Sequence, residues 1–256
     1  MLEFQPLMFT IIKSLIAILL AIFLGNGAVY FFNKMPAKWF CEYGEEPKGI
    51  LADPFTQRIK SHPWKIIFTM FFIIIGIWLV MDDYKFGIAA IFTIWLLIEM
   101  SIGDVLYRII PDQLIILTAV SSIGYFPYFD SWKHSLFGFI AGVGLMGMVA
   151  VIGRLIYSKD TVGGGDIKLF ASLGLIAGPL GIICIFVLST AFSTAHFICK
   201  KMINKPVRHR RQITEIGNKD ISRQNDDTQA MVPYITVAAI IYLCFLWGMA
   251  ETFFEL

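Results

Sequence analysis

Apolar runs about twenty residues long recur along the whole 256-residue chain. A bilayer core about 30 Å thick needs roughly 20 apolar residues in a helix that rises 1.5 Å per residue. Hydrophobic residues make up 57% of the chain and charged residues 16%, whereas soluble domains have about 45–50% and about 25%. The sequence therefore predicts an all-α, polytopic membrane helix bundle and excludes a soluble or disordered protein.

The lengths of these runs predict eight transmembrane helices. The stretch from about 167 to 199 is too long for one helix, and Gly178-Pro179 divides it because proline disfavours a helix interior. The predicted spans are 9–32, 64–81, 86–103, 110–129, 134–156, 166–177, 179–199 and 231–254.

The basic residues predict the orientation of the bundle. With eight spans, nearly all of the 21 Lys and Arg residues fall in loops on one side. Only Lys85 and Lys133 lie on the other side, and Lys13 lies inside the first span. Because Lys and Arg mark cytoplasmic loops, both termini are expected outside the cytoplasm. The net charge of +2 is too small to indicate nucleic-acid binding, so the lipid bilayer is the expected surrounding.

Two aspartates stand at the ends of predicted spans. Asp104 closes one span in SIGDVLYRIIPDQL, and Asp166 opens another in TVGGGDIKLF. The predicted topology puts both at the cytoplasmic membrane boundary, on helices that can be neighbours. Two carboxyls suffice for peptide hydrolysis, since an ionised one takes a proton from water and a protonated one donates to the carbonyl. Acids inside membranes also bind ions or protons in transporters, so this chemistry alone leaves both functions open.

The residues around these acids add to the motif. The glycines at 163–165 allow positive φ and close approach of another backbone, which a protease needs at its acids; a flexible loop is the alternative. Lys168 is expected to pair with lipid phosphate, to act on Asp166 or to anchor at the interface. Asp112 follows Pro111 and is expected to cap the helix that starts there.

Four other polar residues in or beside the spans carry expectations of their own. Glu99 lies one helical turn from the inner end of its span, where it can snorkel, hold a helix contact or support a site. His196 is expected to form a hydrogen bond with another helix. Asp82 and Asp83 are expected to be solvated in a short outer loop.

The two acidic motifs resemble those of type IV prepilin peptidases. The segment from Gly163 to Asp166 is similar to the G-x-G-D motif of that family, and Asp104 followed by Ile110-Pro111-Asp112 is similar to its first motif. Pro233-Tyr234 resembles the family's Pro-aromatic opening of the last span. The resemblance covers about 95–254, and the wider G-x-G-D class includes presenilin-like enzymes.

The resemblance implies an aspartic endopeptidase that removes the basic leader of prepilins or pseudopilins of type IV pili, type II secretion or competence systems. It implies a multi-pass protein of the bacterial inner membrane with its site at the cytoplasmic face. Residues 1–63 are then a first helix with a cytoplasmic loop, and 64–256 the membrane peptidase domain. Asp104 and Asp166 become the catalytic acids. Site-shaping or substrate-binding roles fall to Gly163, Gly165, Lys168, Pro111 and Asp112.

The chain departs from the family in its first cytoplasmic loop. Many bacterial members carry two C-x-x-C pairs there, which bind zinc and accompany N-methylation from S-adenosylmethionine. This loop contains only Cys41, and His62 does not complete a four-ligand site, so zinc is not expected. Proteolysis needs no cofactor, and S-adenosylmethionine is expected only if methylation is retained. The alternatives are a presenilin-like protease, which cuts deeper in the bilayer, and an ion-coupled transporter, which often shows internal repeats.

Overall fold

The computed structural model describes residues 4–41, 44, 46–47, 51, 57–157, 162–203 and 230–248. These residues are helical and contain no strand, which confirms the all-α prediction. Within them lie seven α-helices: α1 Phe4–Lys34, α2 Trp64–Asp82, α3 Tyr84–Tyr107, α4 Asp112–Ser121, α5 Trp132–Tyr157, α6 Gly164–Ile203 and α7 Val232–Ile241. A 3-10 turn, Ser122–Tyr128, follows α4, and a π-helical turn, Tyr242–Leu246, follows α7.

Five of these helices are long and apolar enough to cross a membrane: α1, α2, α3, α5 and α6. The segment Val232–Leu246 is apolar but shorter. The eight-span layout and the positions of the termini stay predictions. The greater part of the basic loop between the last two predicted spans, residues 204–229, and the end of the last span, 249–256, lie outside the described residues.

Helix α6 is interrupted at the position that the sequence predicts. Gly178 has φ 70° and ψ −179°, which no helical residue adopts, and Pro179 follows without a backbone N–H. The break leaves a first segment, 164–177, and a second segment, 179–203. The hydroxyl of Tyr242 donates to the carbonyl oxygen of Ala177 at 3.1 Å, so a carbonyl released by the break has a partner.

Two helices lie at the centre of the bundle. In the most apolar stretch of α3, 67% of the residues are buried, and in that of α6, 56%. The corresponding values are 22% for α1 and α2 and 17% for α5, so these three helices present apolar faces to the surroundings, as expected in lipid. Helices α4 and α7 each pack against both α3 and α6. The inner helices α3 and α6 are those that carry the two motif aspartates.

Glycines bring α5 against the first segment of α6. A Cβ atom on Gly174 would collide with the carbonyl oxygen of Gly138, and one on Gly142 would collide with that of Phe170. Such backbone contact through small residues is the usual means by which helices associate in lipid. The first segment of α6, which begins at the G-x-G-D motif, is therefore fixed along its length.

Candidate active site

Asp104 lies in the last turn of α3 and is 8% exposed. Its Oδ2 accepts a hydrogen bond from the backbone N–H of Val232 at 2.9 Å. The first N–H groups of a helix have no partner within the helix, and Met231, at the N-cap of α7, offers no side-chain acceptor. Asp104 thus caps the N-terminus of another helix, where the helix dipole favours a negative charge.

Arg108 lies beside Asp104 and caps the C-terminus of α3. Its backbone N–H donates to the Asp104 carbonyl at 3.0 Å, and its φ of 58° is left-handed. This conformation is uncommon for a residue other than glycine. The guanidinium is close enough to interact electrostatically with the Asp104 carboxylate. From the sequence, Arg108 is only one of the basic residues of the predicted cytoplasmic loops, because nothing in an arginine indicates a left-handed cap.

Asp166 lies in the first turn of α6 and is half-buried. Its backbone N–H donates to the carbonyl oxygen of Gly163 at 3.1 Å, which fixes the turn from the glycine segment into the helix. The carboxyls of Asp166 and Asp104 interact electrostatically with each other. The structure therefore brings together the two aspartates that the sequence places 62 residues apart.

The glycines before Asp166 act differently from the expectation. None of the residues 163–165 has positive φ. A Cβ on Gly165 would lie 3.1 Å from Cδ1 of Ile110, whereas one on Gly164 would meet nothing within 4 Å and one on Gly163 only Asp166 Oδ2 at 3.5 Å. Close approach is thus required at Gly165, and the neighbour is a residue of the first motif.

A second contact joins the two motifs. The Lys168 ammonium bonds to both carboxylate oxygens of Asp112 at 2.8 Å, and the two side chains are 57% and 58% exposed. The prediction that Asp112 caps α4 is wrong. Pro111 occupies the N-cap position and is buried, and Asp112, one residue later, points its carboxylate at Lys168. Lys168 therefore has a protein partner, Asp112, which the sequence did not predict.

Of the expectations for Glu99 and His196, the structure confirms that for His196. Glu99 is fully buried, and neither carboxylate oxygen has a hydrogen-bond partner in the described part of the chain, so it does not snorkel. The predicted helix contact of His196 is confirmed, because its Nδ1 and the Tyr234 hydroxyl are 2.7 Å apart. That bond joins the second segment of α6 to α7.

The sequence predicted that Asp83 is solvated in a loop, but in the structure its carboxylate has two protein partners. Asp83 is the N-cap of α3, with its Oδ1 accepting the N–H of Lys85 at 2.9 Å. Its Oδ2 accepts the hydroxyl of Tyr128 at 2.6 Å. The Tyr128 hydrogen bond is the main cause that lowers the pKa of Asp83.

The described residues offer no ligand set to a metal. No three His, Cys, Asp or Glu side chains come together among the ranges given above. The expectations about zinc and S-adenosylmethionine stay predictions.

Comparison with known proteins agrees with the motifs. Residues 90–198 match the type IV leader peptidase family. This confirms the resemblance, and the matched segment contains both aspartates, Ile110-Pro111-Asp112 and Lys168.

Two curated relatives carry the name prepilin leader peptidase/N-methyltransferase. The protein of Bacillus subtilis (strain 168) is 34% identical over 101 residues, which are 37% of this chain and 39% of that protein. The protein of Stutzerimonas stutzeri is 32% identical over 106 residues, 39% of this chain and 37% of that protein. The chain thus spans well under half the length of these relatives. No solved structure matches it.

Proposed function

We propose that the chain is an intramembrane aspartic endopeptidase that removes the leader peptide of type IV prepilins or pseudopilins. One observation carries the proposal. The carboxyls of Asp104 and Asp166, from the ends of the two inner helices, lie within electrostatic reach of each other in the segment that matches the leader peptidase family. The names of the two relatives support the same substrate class.

The surroundings of the two acids support different roles. Asp104 accepts the Val232 N–H at a helix N-terminus and lies near Arg108, and both stabilise a carboxylate. Two like charges within electrostatic reach of each other are costly to ionise together, so we infer that the pair shares one proton and that Asp166 holds it. Asp104 is then the general base and Asp166 the general acid.

The reaction follows from these roles. Asp104 takes a proton from a water molecule, the water oxygen bonds to the scissile carbonyl carbon, and Asp166 gives its proton to the carbonyl oxygen. The C–N bond then breaks as Asp104 passes its proton to the leaving amine. Asp166 recovers a proton from the hydroxyl that becomes the new carboxyl group. Water is consumed, and both acids return to their starting states.

The orientation that the basic loops predict supports the place of cleavage. The basic loops predict that the ends of α3 and α6 with the aspartates face the bacterial cytoplasm. The two aspartates can therefore reach a peptide bond where a substrate helix leaves the inner membrane on the cytoplasmic side. They cannot reach a peptide bond in the periplasm. Methylation of the product stays open, because the match to the relatives covers about two fifths of their length.

The test is digestion of a purified prepilin by the reconstituted full chain, with mass spectrometry of the products. Asp104→Asn and Asp166→Asn each remove one of the two proton-transfer groups and are expected to lower the rate by at least about 10³-fold. Asp83→Asn is the matched control, since Asp83 also accepts backbone N–H groups but lies at the opposite end of α3.

Cleavage that persists in either active-site variant would refute the assignment. A cut deep inside the apolar segment would instead indicate a presenilin-like protease. The same spectra, taken with and without S-adenosylmethionine, report any added methyl group.

A further inference from the structure

A groove of about 600 Å³ lies between α2, α3 and α7 and takes no part in the proposed reaction. Its walls are almost entirely apolar, and neither Asp104 nor Asp166 lines it. The α3 wall runs from Ile98 to Leu106, which at 1.5 Å per residue is about 12 Å. One leaflet of a bilayer core is about 15 Å deep, so the groove has the depth of a single leaflet.

Two cations, Arg58 and Lys60, line this groove. Arg58 lies towards the Asp104 end of α3, because its guanidinium faces the Phe40 ring, which packs against Tyr107. No acidic side chain lines it among the residues that the structure describes. The groove is therefore an apolar slot of one-leaflet depth with a positively charged mouth.

The arginine at the mouth is held in place. Its Nη1 donates to the carbonyl oxygen of Phe32 at 3.2 Å, and its guanidinium lies 5.2 Å from the centre of the Phe40 ring. A guanidinium has five N–H donors, so donors remain for a second partner. Lys60 is exposed, and its ammonium is a second charge at the groove.

We propose that this groove binds an anionic phospholipid. The acyl chain lies along α3 and α7, and the phosphate lies between Arg58 and Lys60. The substrate is a poor fit to this groove for two reasons. The cationic mouth repels a basic leader, and neither aspartate lines the groove. Depth also decides against a spanning helix, which needs both leaflets. The proposal does not depend on the peptidase activity.

The test uses the full chain reconstituted in phosphatidylcholine vesicles with spin-labelled phosphatidylglycerol or phosphatidylcholine. The ratio of the two association constants measures headgroup preference. Lys60→Gln is expected to lower this ratio about fivefold, the effect of one basic residue at an anionic surface. Lys201→Gln is the matched control, since Lys201 is exposed on the same predicted side but does not line the groove.

A groove-filling variant tests the site without touching a charge. Val237 lines the groove and is 46% exposed, so Val237→Trp is expected to fold and to reduce the number of motionally restricted lipids. An unchanged ratio in Lys60→Gln, or an equal fall in Lys201→Gln, would overturn the proposal. Displacement of the labelled lipid by a prepilin apolar segment would also overturn it and assign the groove to the substrate.

Discussion

The two ends of α3 use the same chemistry for different purposes. At its start, Asp83 accepts a backbone N–H of its own helix and the hydroxyl of Tyr128. At its end, Asp104 accepts a backbone N–H of α7. Both carboxylates therefore cap a helix, and Asp104 in addition interacts electrostatically with the motif acid Asp166 across the bundle. Capping alone stabilises a fold, whereas capping beside another carboxyl makes a pair that can move protons.

The largest effect in this comparison is expected where the two motifs touch. In Gly165→Val, the new side chain displaces Ile110, which lies 3.1 Å from the position of its Cβ. A displacement of about 1 Å between the acids lowers the cleavage rate about 100-fold. The measurement is the rate of prepilin cleavage at constant protein stability.

Gly164→Ala is the control for that prediction, because a Cβ there meets nothing within 4 Å. It is expected to keep the rate of the unmodified protein. Equal losses in the two variants would mean that the glycines act through flexibility and not through the contact with Ile110.

Glu99 lies between the two ends of α3, and its replacement is expected to stabilise the protein. Glu99 is buried without a hydrogen-bond partner among the described residues, so Glu99→Met removes an unsatisfied polar group and raises the free energy of unfolding by about 1–2 kcal/mol. Thermal unfolding in one detergent measures this. Leu97→Met, a fully buried neighbour with no such group, should give little change or a small loss. A loss of stability in Glu99→Met would assign that carboxyl a partner or a function.

The Asp83 end is expected to show a dependence on pH. Tyr128→Phe removes the hydrogen bond that lowers the pKa of Asp83 and should cost about 1 kcal/mol at pH 7. A lowered folded-state pKa contributes stability above the unfolded-state pKa, near 3.8, and loses it as the pH falls through the folded-state value. The variant and the unmodified protein should therefore converge below about pH 4.

Unfolding midpoints between pH 3 and 7 measure that convergence. Tyr84→Phe removes an exposed hydroxyl that does not bond to Asp83, and it should follow the unmodified protein at every pH. A difference for Tyr128→Phe that does not change with pH would show that the ring position matters and the Asp83 bond does not.

The smallest effect is expected at the Lys168–Asp112 ion pair. Both side chains are more than half exposed, so water screens the attraction. A double-mutant cycle of Lys168→Gln and Asp112→Asn should give a coupling of about 0.5 kcal/mol in the free energy of unfolding. A coupling energy several times larger would mean that the ion pair contributes substantially to holding the two motifs together.

Local sequence patterns predicted those features that need no partner from elsewhere in the chain. Apolar run length predicted a membrane helix bundle, and Gly178-Pro179 predicted the break in α6. The proximity of Asp104 and Asp166 does need a distant partner, and it was predicted from the order of the spans. The contacts of Asp83 with Tyr128, of Lys168 with Asp112 and of Asp104 with Val232 were missed. Each joins residues 45, 56 or 128 positions apart. The donor to Asp104 is moreover a backbone group, which any residue type supplies.

The interruption of α6 limits how far the helix can extend from the aspartate. Fourteen residues separate its start from the last helical position before Gly178, a length of about 20 Å. A bilayer core is about 30 Å thick, so a helix that enters at Asp166 is interrupted before it reaches the far surface. Hydrocarbon offers no water to the carbonyl of Ala177 there, and the phenol of Tyr242 takes its place.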